Sequence, residues 1–214
     1  MEILGSLFGA AHRVKILRLF VFNEGSNFEL NDIARRTRTG APSVRRELAM
    51  MEHAGLIKRR AFFTERNRQR GKKRPVTRKK VRGFALNPRF KYLSALRTFL
   101  LTAAPIQHNE IVKKLSIAGR CKLIVIAGVF IQDVNGDVDL LIVGDNINES
   151  RLERAVRDIE AKLGRELRYA SFSTHDFMYR MNIYDKLLRD IFDYPHQTLL
   201  NRLGKEYNGE NIPV

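Results

Sequence analysis

Two sets of residues in this chain have types and spacing that could do chemistry. The first is basic. Lys58 to Arg82 holds 13 Lys and Arg, at positions 58, 59, 60, 66, 68, 70, 72, 73, 74, 78, 79, 80 and 82, against the single acid Glu65, a formal charge of +12 over 25 residues. Cations at that density call for an anionic, extended partner. The second set is acidic. Asp137 and Asp139 lead into the apolar run Leu140–Val143, and two positions apart on a strand place both carboxylates on one side.

The charge is unevenly placed. Of the 214 residues, 1–100 carry 24 Lys/Arg and 7 Asp/Glu, whereas 101–214 carry 15 and 16, so a net +17 half is joined to a −1 half. That split suggests a nucleic-acid or membrane-surface module attached to something else. The apolar runs Ile16–Phe22, interrupted by Arg18, and Leu123–Ile131 fall short of the ~20 residues a membrane-spanning helix needs. No basic stretch followed by an apolar one marks a signal peptide, so a cytoplasmic location and no membrane partner are expected. The lone Cys121 allows no internal disulfide and no Cys-cluster metal site, and the five histidines (12, 53, 108, 175, 196) show no metal-ligand spacing.

The elements that must present the basic set come before and around it. Leu7, Ala11, Val14, Leu17 and Val21 recur at helical spacing, predicting one helix over 4–22 that ends at Asn23–Ser26. Phe28–Thr37 reads as a second helix, with Leu30, Ile33, Ala34 and Thr37 on one face. Thr39-Gly40 makes the break, and Pro42 suits the first position of a third helix, which buries Val44, Leu48 and Met51 and stops at Gly55. Leu56–Lys58 and Val81–Leu86 read as strands that return on each other. The basic segment then spans an antiparallel ribbon and its loop.

The pattern DIARRT…APSVRRELAMMEHAGLIKRR…FALNP resembles the winged helix-turn-helix of ArsR/MarR-type transcriptional regulators over about residues 5–88. The resemblance implies that Ala41–His53 is a recognition helix, with Ser43, Arg45 and Arg46 pointing away from the core. Arg can read guanine edges in a major groove, and Ser43 with the helix N-terminus suits a phosphate. Arg35, Arg36 and Arg38 flank the turn and are expected to grip the backbone. Lys58, Arg66, Arg68, Arg70, Lys72, Lys73, Arg74 and Arg78 would form a long basic wing, ordered along phosphates or in a minor groove. A nonspecific RNA-binding arm competes with this reading, but no aromatic RNA-recognition motif accompanies the cations.

Pro88 is expected to open a helix to about Leu101, with Tyr92, Leu93, Leu96, Phe99 and Leu100 on one face, and Gln107–Ser116 a further one. These would connect two domains or form a dimer seam.

Beyond them, Cys121–Gly128 and Asp137–Asp145 read as strands, Leu152, Ala155, Val156, Ile159 and Leu163 as a helix stripe, Glu166–Phe172 as a strand, and Thr174–Leu203 as helical. Residues 119–195 resemble the minimal nucleotidyltransferases related to polymerase β, chiefly through Asp137-Val138-Asp139-Leu140-Leu141-Ile142-Val143-Gly144-Asp145. In that family the paired carboxylates hold Mg²⁺ on a nucleotide triphosphate, and a third acid, which here could only be Glu166, completes the site. The family's Gly-Ser phosphate-binding step reads Gly128-Val129-Phe130 here, without a hydroxyl.

The expectation is an α+β protein: a winged helix-turn-helix at 1–87, a helical connector at 88–118, and an α/β nucleotidyltransferase-like domain with a helical C-terminus at 119–214. Its function would be transcriptional regulation on double-stranded DNA as a homodimer. The second domain would serve dimerisation or ligand sensing, without catalysis or a required cofactor or metal, although Mg²⁺ or a nucleotide at Asp137/Asp139 stays open. Two alternatives remain: an active nucleotidyltransferase using Asp137 and Asp139, and an antitoxin-like partner of a toxin.

Overall fold

The computed structural model describes residues 3–66, 77–103, 106–131 and 137–203, with backbone alone at 3, 65, 66 and 77. The protein is α+β, and its described residues form helices and two sheets. By contact it divides into two compact units, Met1–Pro105 with Glu160–Arg165, and Ile106–Ile159 with Glu166–Val214. No described helix is long and apolar enough to cross a membrane.

The first unit is built around one helix. The chain begins with α1 (Ile3–Leu7) and α2 (Ala11–Val21), so the single helix expected over 4–22 is broken. The break is at Gly9, whose φ of +78° is left-handed and strongly favours glycine. Leu7 is consequently exposed rather than on the stripe. α2 buries Val14, Ile16, Leu17, Leu19, Phe20 and Val21, which cover more than one face. A helix apolar on that much of its circumference must be wrapped by others. The wrapping comes from β1 (Asn27–Phe28), α3 (Leu30–Thr37), α4 (Ala41–His53), β2 (Ile57–Arg66), β3 (Thr77–Leu86) and α5 (Leu93–Thr102). Phe28, Ile33, Val44, Leu48, Met51, Leu56, Ile57, Leu86, Leu93 and Leu100 join the α2 side chains in one core. Phe28, expected to start a helix, is instead paired with Phe84 in a sheet of order β1-β3-β2, its ring edge-on to Phe20 at 5.6 Å.

The turn between α3 and α4 is made differently from the sequence expectation. Arg38 takes the left-handed conformation (φ 51°, ψ 46°), while Gly40 is extended at φ −61°, ψ 141°. The amides of Arg38 and Thr39 close back on Ala34 O, satisfying the orphan carbonyls of the helix end.

The second unit contains α6 (His108–Leu115), β4 (Arg120–Ile126), β5 (Leu140–Asp145), α7 (Glu149–Leu163) up to Ile159, β6 (Tyr169–Phe172), α8 (Thr174–Asn182), α9 (Lys186–Asp193) and β7 (Gln197–Asn201). Sheet order is β6-β5-β4-β7. β4 pairs antiparallel with β5 and β7, and β5 pairs parallel with β6 across the α7 connection. Leu123, Val125, Leu141 and Val143 pack on Phe177, Leu188 and Ile191 of α8 and α9, and the alternate residues Ile124, Ile126, Leu140 and Ile142 are also buried. Burial on both faces explains the continuous apolar runs of β4 and β5. The C-terminal part is not wholly helical. Pro195 follows α9, and β7 adds to the sheet as an edge strand.

Candidate nucleic-acid interface

α4 carries the first group of expected contacts. Val44, Leu48 and Met51 are buried, which turns Arg45 and Arg46 to solvent and leaves Ser43 half-buried in the first turn. The helix is held in that rotation by Glu47, the residue after Arg46. Glu47 is 2% exposed and accepts from Arg13 Nε of α2 at 2.6 Å, with His12 Nε2 at 3.1 Å from its other oxygen. Burial alone raises the Glu47 carboxyl, but the hydrogen bonds and charges of Arg13 and then His12 outweigh it and hold the group below its ordinary value.

The residues flanking the α3–α4 turn are not equivalent. Arg35 is exposed and bridges to Asp32 at 3.1 Å within its own helix. Arg36 lies over the Phe28 ring at 5.3 Å and is half-buried. Arg38 is exposed at the left-handed corner.

The hairpin is the second group. β2 and β3 stay in register over ten pairs, from Ile57↔Leu86 to Arg66↔Thr77, roughly 30 Å of ribbon. Directly paired residues share a face, so Arg59, Ala61 and Phe63 lie with Phe84, Arg82 and Lys80, and Lys58, Arg60, Phe62 and Thr64 with Ala85, Gly83, Val81 and Lys79. Arg59, Arg60, Arg78, Lys79, Lys80 and Arg82 are exposed, and Lys58, near the core, is half-buried. Gly83 is required at its position, because a Cβ there would overlap Phe28 O and approach Phe62 Cε1 to 2.8 Å. Arg66 falls on β2, where the backbone alone is described, and Arg68, Arg70, Lys72, Lys73 and Arg74 lie outside the described residues. Arg59, Arg60, Lys79, Lys80 and Arg82 belong to the basic segment read from the sequence but were not among its expected wing contacts; they are exposed on both faces of the hairpin.

The paired aspartates are separated by their surroundings. β5 starts only at Leu140, so both precede the strand; Asp137 is exposed and Asp139 is 1% exposed. The Asp139 carboxylate accepts from Val129 N (3.1 Å), Arg168 N (2.9 Å), Arg168 Nε (3.2 Å) and Arg168 Nη2 (3.2 Å). Its backbone is also pinned, with Asp139 N donating to Arg168 O and Ala127 N to Asp139 O. Gly128 has φ +50°, and a Cβ there would overlap Asp139 Oδ1. The hydrogen bond to Asp139, with the charges of Asp139 and Asp137, pushes the Arg168 guanidinium above its ordinary value against a smaller effect of burial. Glu166 is exposed on the coil before β6, which begins at Tyr169 rather than at 166.

This donor set does not fit a divalent cation. The carboxylate that would be the central ligand faces a guanidinium and two amides, all hydrogen-bond donors. Among the described residues no three His, Cys, Asp or Glu side chains gather as a metal-holding group. The amide of Val129, in the turn Gly128–Phe130, points at Asp139. Beside Asp137 a cleft of about 370 Å³ is lined by Gly128, Arg180, Lys186, Asp190 and Tyr194 among others. Its lining mixes both charge signs.

Comparison with protein-family models, curated proteins and solved structures gives no match to this chain.

Proposed function

We propose that the protein is a DNA-binding transcriptional regulator whose first unit acts as a winged helix-turn-helix. α4 enters the major groove and presents Arg45 and Arg46 to base edges, Ser43 and the helix N-terminus meet a phosphate, and Arg35 and Arg38 flank them on the backbone. The hairpin follows the phosphates with the cations of both its faces. The observation that carries this reading is the pairing, in one unit, of a helix with outward Arg45 and Arg46 and a hairpin with exposed Arg59, Arg60, Lys79, Lys80 and Arg82. The second unit, resembling a nucleotidyltransferase scaffold, serves dimerisation or ligand sensing in the cytoplasm. Support for a non-catalytic role comes from Asp139, whose carboxylate is engaged by Arg168 and two amides.

The test is equilibrium binding to duplex DNA from the host genome across a salt series, for wild type and the Arg45→Ala/Arg46→Ala double variant. Binding that weakens steeply with salt, and a double variant that loses preference among sequences, are expected. Absence of duplex binding at low salt refutes the reading.

A further inference from the structure

Phe63 is 67% exposed, and its place on the hairpin gives that exposure a use. Phe62, on the opposite face, is half-buried against Gly83, so one aromatic of the pair is accounted for by packing. Phe63 pairs directly with Lys80, and Ala61, two residues back on the same face, pairs with Arg82. Direct partners on one face of an antiparallel pair lie about 5 Å apart and diagonal neighbours about 7–8 Å, so Phe63 stands beside Lys80 with Arg82 and Arg78 on its diagonals, and Ala61 and Glu65 flank it on its own strand. An apolar ring faced across the ribbon by cations complements an anionic partner that also offers flat apolar faces. A nucleobase inside a phosphate backbone is such a partner; a lipid or an acidic peptide supplies the charge without the stacking surface.

We infer that Phe63 is a nucleobase-stacking side chain, inserted at an opened base step of duplex DNA while Lys80 and Arg82 hold the adjacent phosphates. The inference rests on the DNA-binding reading and adds a preference that reading lacks: duplexes whose stack is easily opened bind better than stiff, fully paired ones. Aromatic and apolar wedges act this way elsewhere by offsetting the cost of unstacking with new contacts.

The sequence contains no tryptophan, so Phe63→Trp in the full chain is a single-tryptophan probe, excited apart from the tyrosines at the red edge. Three 20-base-pair ligands suffice: a fully paired duplex, the same duplex with one unpaired central base, and the corresponding single strand. The expected result has three parts. Trp emission is quenched on adding the unpaired-base duplex. Phe63→Ala binds that duplex roughly ten-fold or more weaker, with a smaller loss on the fully paired one. Phe63→Tyr retains affinity and Phe63→Leu does not. Because the side chain is exposed, thermal melts of the variants should match wild type. If wild type binds duplex but Trp emission is unchanged and Phe63→Ala binds equally, the stacking role is overturned and the DNA-binding reading stands. Quenching by the single strand alone also overturns it, as does sedimentation showing that Phe63→Ala dissociates a wild-type dimer without DNA. If wild type binds none of the duplexes at low salt, the functional reading falls and the stacking role with it.

Discussion

Glu47 of α4 and Arg13 of α2 are joined at 2.6 Å around a carboxylate that is 2% exposed. The pair fixes the rotation of the helix that carries Arg45 and Arg46. Glu47→Ala leaves the Arg13 and His12 groups without their acceptor, and with those two about 30% exposed the expected cost is about 1–3 kcal/mol. The pH dependence has a definite sign. A carboxyl held below its ordinary value stabilises fully above that value and loses its contribution as pH falls through the folded one. Stability measured by denaturant titration should therefore fall on the acid side of pH 4.5 more steeply in wild type than in Glu47→Gln. Equal acid slopes would remove Glu47 from the account.

Asp139 is expected to matter for folding whatever the second unit does. Asp139→Ala strands Val129 N, Arg168 N and the Arg168 guanidinium, a loss of about 3 kcal/mol. Gly128→Ala combines overlap with Asp139 Oδ1 and a left-handed φ and should cost about as much. Calorimetry of both variants should show lowered melting. A wild-type melting profile for Asp139→Ala together with lost nucleotidyl transfer would instead assign Asp139 to catalysis.

Asp145, at the end of β5, is linked to Lys122 at 2.8 Å and to Thr174 N at 3.3 Å. The hydrogen bonds from Lys122 and then Thr174 pull its carboxyl down to about 2. Its contribution is present above pH 3.8 and fades as pH falls toward 2. Carboxyl titration followed by NMR should place the Asp145 midpoint well below those of exposed aspartates. In Lys122→Met the midpoint should rise.

Gly83→Ala is the corresponding test of the hairpin. The new methyl would meet Phe28 O and the Phe62 ring, forcing β1 off β3 or the ring out of its place, at about 1–3 kcal/mol. Hydrogen exchange at Asn27 and Phe28 should speed up while α4 stays protected. Unchanged exchange there would mean the sheet yields without cost.

On DNA, the helix and hairpin should separate by kind of effect. Arg45→Ala or Arg46→Ala should each cost about 1–3 kcal/mol on a preferred site and relax sequence choice. Neutralising Lys79 and Lys80 should weaken all duplexes alike and flatten the dependence on salt. A uniform loss from the Arg45 variant would move that residue from base to phosphate contact.

Composition and periodicity by themselves determined a good deal. The α+β class, the helices before a basic antiparallel ribbon and the buried face of α4 follow from the spacing of apolar residues, and the strands β4 and β5 from continuous apolar runs; both state where a core must be. Spacing says nothing about which polar groups meet. It did not reveal that Arg18 is fully buried, its guanidinium donating to Ala103 O. Nor did it show that Arg38 rather than Gly40 takes the left-handed corner, or that β7 closes a sheet edge from a stretch expected to be helical. The aspartates illustrate the difference best. Two positions apart, Asp137 and Asp139 were expected to share one side. Folding brings Arg168, 29 residues away, onto Asp139 and leaves Asp137 exposed, because the coil before β5 abuts the coil before β6. That juxtaposition belongs to strand order, and local spacing cannot contain it.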